Sequence, residues 1–332
     1  MKMKIIIYDD KSLVSYNPND LLTKGLGGAE TCIINLAKAL NNLGHDVDVF
    51  VNCNQPGNYN GVWYHNTKEE LPKKCDLFIG VESFPEKKIY SKKVINWVHR
   101  PYSHEVKKFD VEKIVCVSEW QKKFLDDPRT IVIENGIDDI YFQEGKSPKI
   151  SGRIIYAGHP RKGGMAVLPK IFLKLKETLP GVDMIVCGSG RLWGDPEDEY
   201  QSIYNQLTRV GINYLGSVGN IVLSNLLQSS SVLINPIGSK HRETFGLVVA
   251  QAMASGCIPV SSGEGNLSHL IENCGFSIFG DVNSDEWISE ACGKIFEIMT
   301  SPTKVIRDRC RDKARQFTWE KSARKFIELC QK

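Results

Sequence analysis

His241-Arg242-Glu243-Thr244-Phe245-Gly246-Leu247-Val248-Val249-Ala250-Gln251-Ala252-Met253-Ala254-Ser255-Gly256 is the stretch from which the fold is read. An apolar, β-prone run, Ser231-Val232-Leu233-Ile234-Asn235-Pro236, precedes it and reads as a buried strand. The quoted residues carry two cations, a carboxylate and a glycine through a loop into an apolar helix. Gly256 stands where a C′ glycine ends such a helix, and Pro259-Val260 open the next strand. Glu243 therefore falls in a loop at the carboxyl end of a strand, just before a helix N-terminus. Open α/β sheets bind ligands in that place. The N–H groups from Phe245 to Val248 and the helix dipole favour an anion there. The plainer alternative is an ordinary strand-loop-helix with a surface carboxylate.

Outward from this stretch the strand-helix alternation repeats. Arg153-Ile154-Ile155-Tyr156-Ala157-Gly158 reads as a strand, and His159-Pro160-Arg161-Lys162-Gly163-Gly164 as its turn into a helix. Two adjacent cations with glycines at such a turn suit a diphosphate, the side chains supplying charge and the backbone N–H donors. A solvated basic turn is the alternative. Met184-Ile185-Val186-Cys187-Gly188-Ser189-Gly190 is a strand and glycine turn against which a base or ribose could lie flat. Asn213-Tyr214-Leu215-Gly216-Ser217-Val218 leads to a helix at 221–229, Gly263-Glu264-Gly265-Asn266 opens another, and 287–299 and 317–329 carry helical periodicity. Thr318 is the expected N-cap of the last. The polar segment Gln143–Gly152, with Gly145 and Pro148, reads as an interdomain linker.

Upstream of that linker, strands are expected at 5–8, 47–51, 77–81, 94–98, 113–117 and 130–133, with Ser118 capping the helix that starts at Glu119. Gly27-Gly28 open a helix after the first strand, its apolar residues Ile33, Ile34, Leu36, Ala37, Leu40 and Leu43 recurring at helical spacing. That is a phosphate-cradle arrangement, since a backbone without Cβ approaches an anion closely. A glycine turn without a ligand fits equally well, for neither Gly-x-Gly-x-x-Gly nor the P-loop ending is present. His99 ends a strand and reads either as a site residue or as a hydrogen-bonded loop histidine. Asp46 and Asp48 form an Asp-x-Asp that reads as strand-edge solubility, with no further ligand cluster near in sequence.

Glu243 and Gln251, with Phe-Gly-Leu after the first and Ala-Met-Ala-Ser-Gly after the second, resemble the Glu-x7-Glu signature of family-4 glycosyltransferases. Asn135-Gly136-Ile137-Asp138 is similar to that family's Asn-Gly-Val-Asp turn, and Phe317-Thr318-Trp319-Glu320 to the start of its closing helix. The resemblance implies an α/β protein of the GT-B fold. Two Rossmann-like domains would face a central cleft, with the C-terminal helix crossing back to the first. The first domain would span 1–145 plus 317–332 and bind acceptor; the second, 150–316, would bind a nucleotide-diphosphate sugar. The implied activity is retaining transfer of a sugar to a hydroxyl of a glycan, lipid-linked or other acceptor, without a metal or other cofactor. Glu243, His99, Lys162 and Arg161 would be the catalytic set. Gly27, Gly28, Gly158, Gly188, Ser217, Val218, Phe245, Gly246, Leu247 and Gln251 would hold the donor. Gln stands where the family has its second Glu; it can hydrogen-bond ribose hydroxyls but carries no charge.

The totals agree with a soluble two-domain chain. It has 332 residues, 42% hydrophobic and 24% charged. A net charge of +3 argues against nucleic acid as partner. No apolar run is long enough to span a membrane or make a signal peptide. The ten cysteines are scattered without Cys-x-x-Cys and read as reduced thiols of a cytoplasmic protein. Basic stretches at Glu86–Lys93, Lys107-Lys108 and Lys122-Lys123 would serve the peripheral membrane contact known among such transferases; being short, they read as solvated faces. Rival readings are a nucleotide-sugar epimerase or phosphorylase of the same fold, a dinucleotide oxidoreductase, and a catalytically silent sugar-nucleotide binding protein.

Overall fold

A computed structural model describes residues 2–86, 90–101, 109–143, 148–238 and 240–330. The chain divides into two compact units. One comprises Met1–Leu21, Leu26–Gly136 and Phe317–Lys332, the other Leu22–Gly25 and Ile137–Gln316.

The first unit is built on an eight-stranded sheet. Its strands are β1 (Lys4–Tyr8), β2 (Asp46–Val51), β3 (Gly57–Tyr59), β4 (Val62–Asn66), β5 (Lys74–Val81), β6 (Tyr90–Val98), β7 (Lys113–Cys116) and β8 (Thr130–Val132). Their order is β3-β4-β2-β1-β5-β6-β7-β8, parallel except for β3 against β4. Central parallel strands are covered on both faces and so read as continuous apolar runs; Ile5, Ile6 and Ile7 are each fully buried. The β3–β4 hairpin, absent from the sequence reading, turns on Asn60-Gly61, both at positive φ. Asn-Gly between paired strands is the preferred two-residue hairpin turn.

The strand-edge reading of Asp46 and Asp48 meets the structure here. Asp46 pairs with Lys2 at 2.7 Å, and Asp48 lies 3.6 Å from Lys4 and 3.4 Å from His65, so both acids are matched by cations at the start of β2. The last helix, Trp319–Glu328, belongs to this unit. Its N-cap Thr318 accepts from the Lys321 N–H, Ser322 Oγ donates to the Glu134 carbonyl at 2.6 Å, and Phe326 packs edge-on to Trp97. A Cβ on Gly136 would strike the Trp319 backbone, which ties the Asn135-Gly136 turn to this helix.

The second unit holds a six-stranded, wholly parallel sheet of β9 (Arg153–Ala157), β10 (Asp183–Cys187), β11 (Asn213–Gly216), β12 (Val232–Asn235), β13 (Ile258–Ser262) and β14 (Phe276–Ile278). The order β11-β10-β9-β12-β13-β14 shows where the winding reverses, between β9 and β12. The unit begins at Ile137, upstream of the linker expected at 143–152. The reason is local packing: Gln228 Nε2 donates to Ile140 O and Ser255 Oγ to Tyr141 O, fastening the 3₁₀ turn Asp139–Phe142 to the second sheet's helices. Lys149 is spent the same way, its ammonium bonded to the carbonyls of Leu227, Ser230 and Ser255. The segment is thus docked structure where it is described, and residues 144–147 lie outside the description.

No described helix is long and apolar enough to cross a membrane. Of the basic stretches, Lys87, Lys88, Lys107 and Lys108 lie outside the described residues.

Candidate functional site

The winding reversal of the second sheet locates the site. At such a point the loops leaving two adjacent strands diverge to opposite faces and leave a crevice at the strands' carboxyl ends. Lys162 leaves β9 and Glu243 leaves β12, the two strands that flank the reversal. The structure brings them into contact: Lys162 Nζ and Glu243 Oε1 form an ion pair, both side chains mostly buried.

Each partner is held by its own loop. Lys162 ends a 3₁₀ turn, Pro160–Lys162, whose N-cap His159 accepts the Arg161 N–H at Nδ1, 3.1 Å. The imidazole is buried, stacks on Trp193 at 4.2 Å and 15°, and lies 3.3 Å from both Gly190 O and Asp195 Oδ2 through Nε2. With Nδ1 accepting, the network assigns the proton to Nε2. Burial holds the His159 pKa below the ordinary histidine value, opposing the pull of Gly190 and Asp195. The Lys162 ammonium also lies over the Trp193 ring, 5.7 Å from its centroid. Glu243 is positioned through its backbone: it bridges Gly265, its carbonyl accepts from Asn266 N at 2.8 Å, and Asn266 Nδ2 donates to Phe245 O.

The helix after Glu243 runs Leu247–Ala254, with Gly246 in the left-handed region at φ 91° as its N-cap. The cap position also needs a residue without Cβ, since one would press on Leu267 and Leu270. First-turn N–H groups of a helix have no intrahelical acceptor, so Gly246 and Leu247 sit where an anion is best received. Gln251 lies further along this helix and is buried.

Other expected residues have mixed surroundings. Arg161 is engaged by Asp195 at 2.8 Å, an acid that also accepts from Tyr200 OH. Gly188, at φ 112°, packs on Gly158, whose carbonyl oxygen occupies the space a Cβ would need. Packing therefore accounts for glycine at 188. Ser217 Oγ lies 2.5 Å from Ser189 Oγ, and both line a pocket of about 430 Å3 floored by the stacked rings of Tyr204 and Tyr214. The Val218 backbone lies against Gly25. Trp193 and Asp195 lie in no stretch the sequence singles out, and His159 and Asn266 stand there only as turn residues; the folded chain draws all four to the Lys162 and Glu243 loops.

Gly27, Gly28 and His99 lie in the first unit. Gly27 caps the helix Gly28–Asn42 without a side-chain bond, and a Cβ on Gly28 would meet nothing within 4 Å. Packing thus gives no reason for glycine at 28. His99 follows β6 and packs on Trp97 at 4.4 Å; burial, then Arg100, lowers its pKa to about 3, so the ring is neutral. Glu82 Oε1 accepts from the His99 and Arg100 N–H groups, both at 2.6 Å, and Oε2 pairs with Arg100. Asp9 is buried and Glu30 half-buried nearby, Glu30 accepting from Ser12 Oγ at 2.9 Å.

Residues 151–296 match the family described as Glycosyl transferases group 1. Among curated proteins, the phosphatidyl-myo-inositol mannosyltransferase of Mycolicibacterium smegmatis is 31% identical over 154 residues, 43% of this chain and 36% of that protein's length. Among solved structures, AviGT4, a glycosyltransferase involved in avilamycin A biosynthesis, superposes with a TM-score of 0.72 at 18% identity, covering 99% of this chain and 97% of that one. The Anabaena Alr3699/HepE protein, solved with UDP-glucose, gives 0.69 at 15% identity, covering 98% and 99%. The fold is that of the GT-B glycosyltransferases. The chain spans little more than a third of the length of the mannosyltransferase it matches.

Proposed function

We propose that the protein is a glycosyltransferase that moves a sugar from a nucleotide-diphosphate sugar to a hydroxyl of a glycan or lipid-linked acceptor. The observation that carries this reading is the meeting of Lys162 and Glu243 at the winding reversal of the second sheet, beside a helix N-terminus. Breaking the anomeric bond puts negative charge on the diphosphate and positive character on the sugar. Preorganised donors aimed at the departing phosphates are the largest aid such a step can receive. Lys162 and the N–H groups at Gly246 and Leu247 take that role, and Glu243 orients the sugar's hydroxyls. Arg161, engaged by Asp195, shapes the loop and lends charge at longer range. His99 and Gly27-Gly28 keep the roles their family positions imply.

The group 1 match and the mannosyltransferase relative support sugar transfer, and the relative's acceptor class supports a lipid-linked or polyol acceptor. The neighbour solved with UDP-glucose supports a nucleotide-sugar donor. In this reading transfer is retaining and metal-independent, as in family 4, and takes place in the cytoplasm, where the described free cysteines, all but Cys330 buried, would stay reduced. The test is a thermal-shift screen against nucleotide sugars, followed by release of nucleoside diphosphate on adding acceptor. A ligand at a hundred times its Kd stabilises by about 2.7 kcal/mol. A screen in which no nucleotide sugar raises Tm refutes the reading. Gln251 favours one second reading, a protein that binds the donor without transferring it; saturable calorimetric binding with no turnover on any glycan would establish that instead.

A further inference from the structure

In the structure the two residues assigned to the donor neutralise each other. Lys162, assigned to the diphosphate, is bonded to Glu243, assigned to the sugar, and the pair is mostly buried. Trp193 lies under the ammonium, and the backbones of both loops are pinned, one by the His159 cap and the other by Gly265 and Asn266. A diphosphate that reaches Lys162 must share the ammonium with Glu243 or displace it, and sharing sets two anions side by side. If the lysine turns to the phosphates, Glu243 loses its cation and stands close to further negative charge. A sugar attached to the diphosphate resolves the conflict, because its hydroxyls donate to the carboxylate that Lys162 has left. A bare diphosphate brings no such donors.

Resting on the donor reading above, we propose that Glu243 is a specificity-determining residue that makes donor binding an exchange of partners. The diphosphate displaces Glu243 from Lys162, and the sugar hydroxyls replace the lysine on Glu243. The site thereby favours a diphosphate that still carries its sugar. Once the sugar has been transferred, Glu243 returns to Lys162 and competes with the nucleoside diphosphate, which speeds its release. Glu243 thus acts against the product with the charge it uses to hold the substrate.

The test uses inorganic pyrophosphate, which carries the diphosphate charge without base or sugar, titrated calorimetrically into the full chain. Glu243→Gln keeps shape and hydrogen-bonding capacity but gives up the charge. It is expected to bind pyrophosphate at least about tenfold more tightly than the wild type, equivalent to about 1.4 kcal/mol. Glu243→Ala carries the same expectation should the amide variant fold poorly. In a Lys162→Met background the Glu243→Gln gain should shrink severalfold, because the competition is for that ammonium. With a nucleotide sugar found by the screen, Glu243→Gln should narrow the affinity ratio between the sugar nucleotide and its nucleoside diphosphate. Pyrophosphate binding that Glu243→Gln leaves unchanged or weakens overturns the exchange alone. Pyrophosphate binding by neither the wild type nor any variant overturns the diphosphate site itself, and the exchange with it.

Discussion

Replacing Asp9 with Asn is expected to stabilise the protein at pH 8 and to lose that effect near pH 4. Asp9 follows β1, at the end of the first sheet where the winding reverses between β1 and β5, and is 3% exposed. Burial pushes its pKa from 3.8 up to about 7; the Lys11 N–H that bonds it and Arg100 pull the other way, while Glu30 and Glu82 add to the rise. The folded-state pKa of this acid is raised. Between about pH 4 and pH 7 the folded protein therefore holds a proton that the unfolded chain has released, and stability falls as pH rises through that window. The pKa difference of about 3, at about 1.36 kcal/mol per unit, sets a ceiling of about 4 kcal/mol on the cost above pH 7. Asn keeps an oxygen for the Lys11 N–H, fills the same volume and never ionises. Urea or thermal melts of both proteins from pH 4 to pH 8 read the difference directly, and the gap between the curves should open through the window. An Asp9→Asn protein no more stable than the wild type at pH 8 would refute the argument. A protein that retains so costly a carboxylate has a use for it, so transfer activity should fall in the variant as its stability rises.

Gly28→Ala should fold normally and melt at or slightly above the wild-type temperature, by up to about 1 kcal/mol, since the site is open and helical. Its transfer activity should drop if a phosphate or hydroxyl approaches that backbone; full activity in steady-state assays removes the glycine pair from the site. Lys162→Ala should lower kcat/KM about 10²–10³-fold through loss of a donor to the leaving group, and unchanged turnover in a donor-hydrolysis assay would clear Lys162 of that role. Gly188→Ala should unfold readily, losing about 2 kcal/mol or more in chemical denaturation, because the left-handed backbone and the Gly158 carbonyl both exclude a Cβ.

Much of the architecture could be read in the chain because its buried parallel strands are unbroken apolar runs. Ile5–Tyr8 and Val232–Ile234 are buried and apolar at every position, so hydrophobicity alone marks them, whereas Ile258–Ser262, equally buried, carries Pro259 and two serines. The Asn60-Gly61 hairpin is equally legible, Asn-Gly being the preferred two-residue turn between paired strands. The helix Lys304–Ala314 was missed for a physical reason: it buries only Cys310 and Ala314 and shows too narrow an apolar stripe to stand out from a charged loop. The edge strand Phe276–Ile278 is three residues long, too short for any period to register.

For the site, sequence determined the kinds of group available and their places at strand ends: a cation pair after one strand, a carboxylate after another, glycines where backbones come close. Local patterns suffice for that, because strand, turn and helix are each specified within a few residues. Only the tertiary structure decided the pairings. That Lys162 takes Glu243, 81 positions away, while Arg161 beside it takes Asp195, depends on which strands adjoin at the winding reversal. Strand order is set by the packing of helices on both faces of the sheet, and no short stretch of chain encodes it.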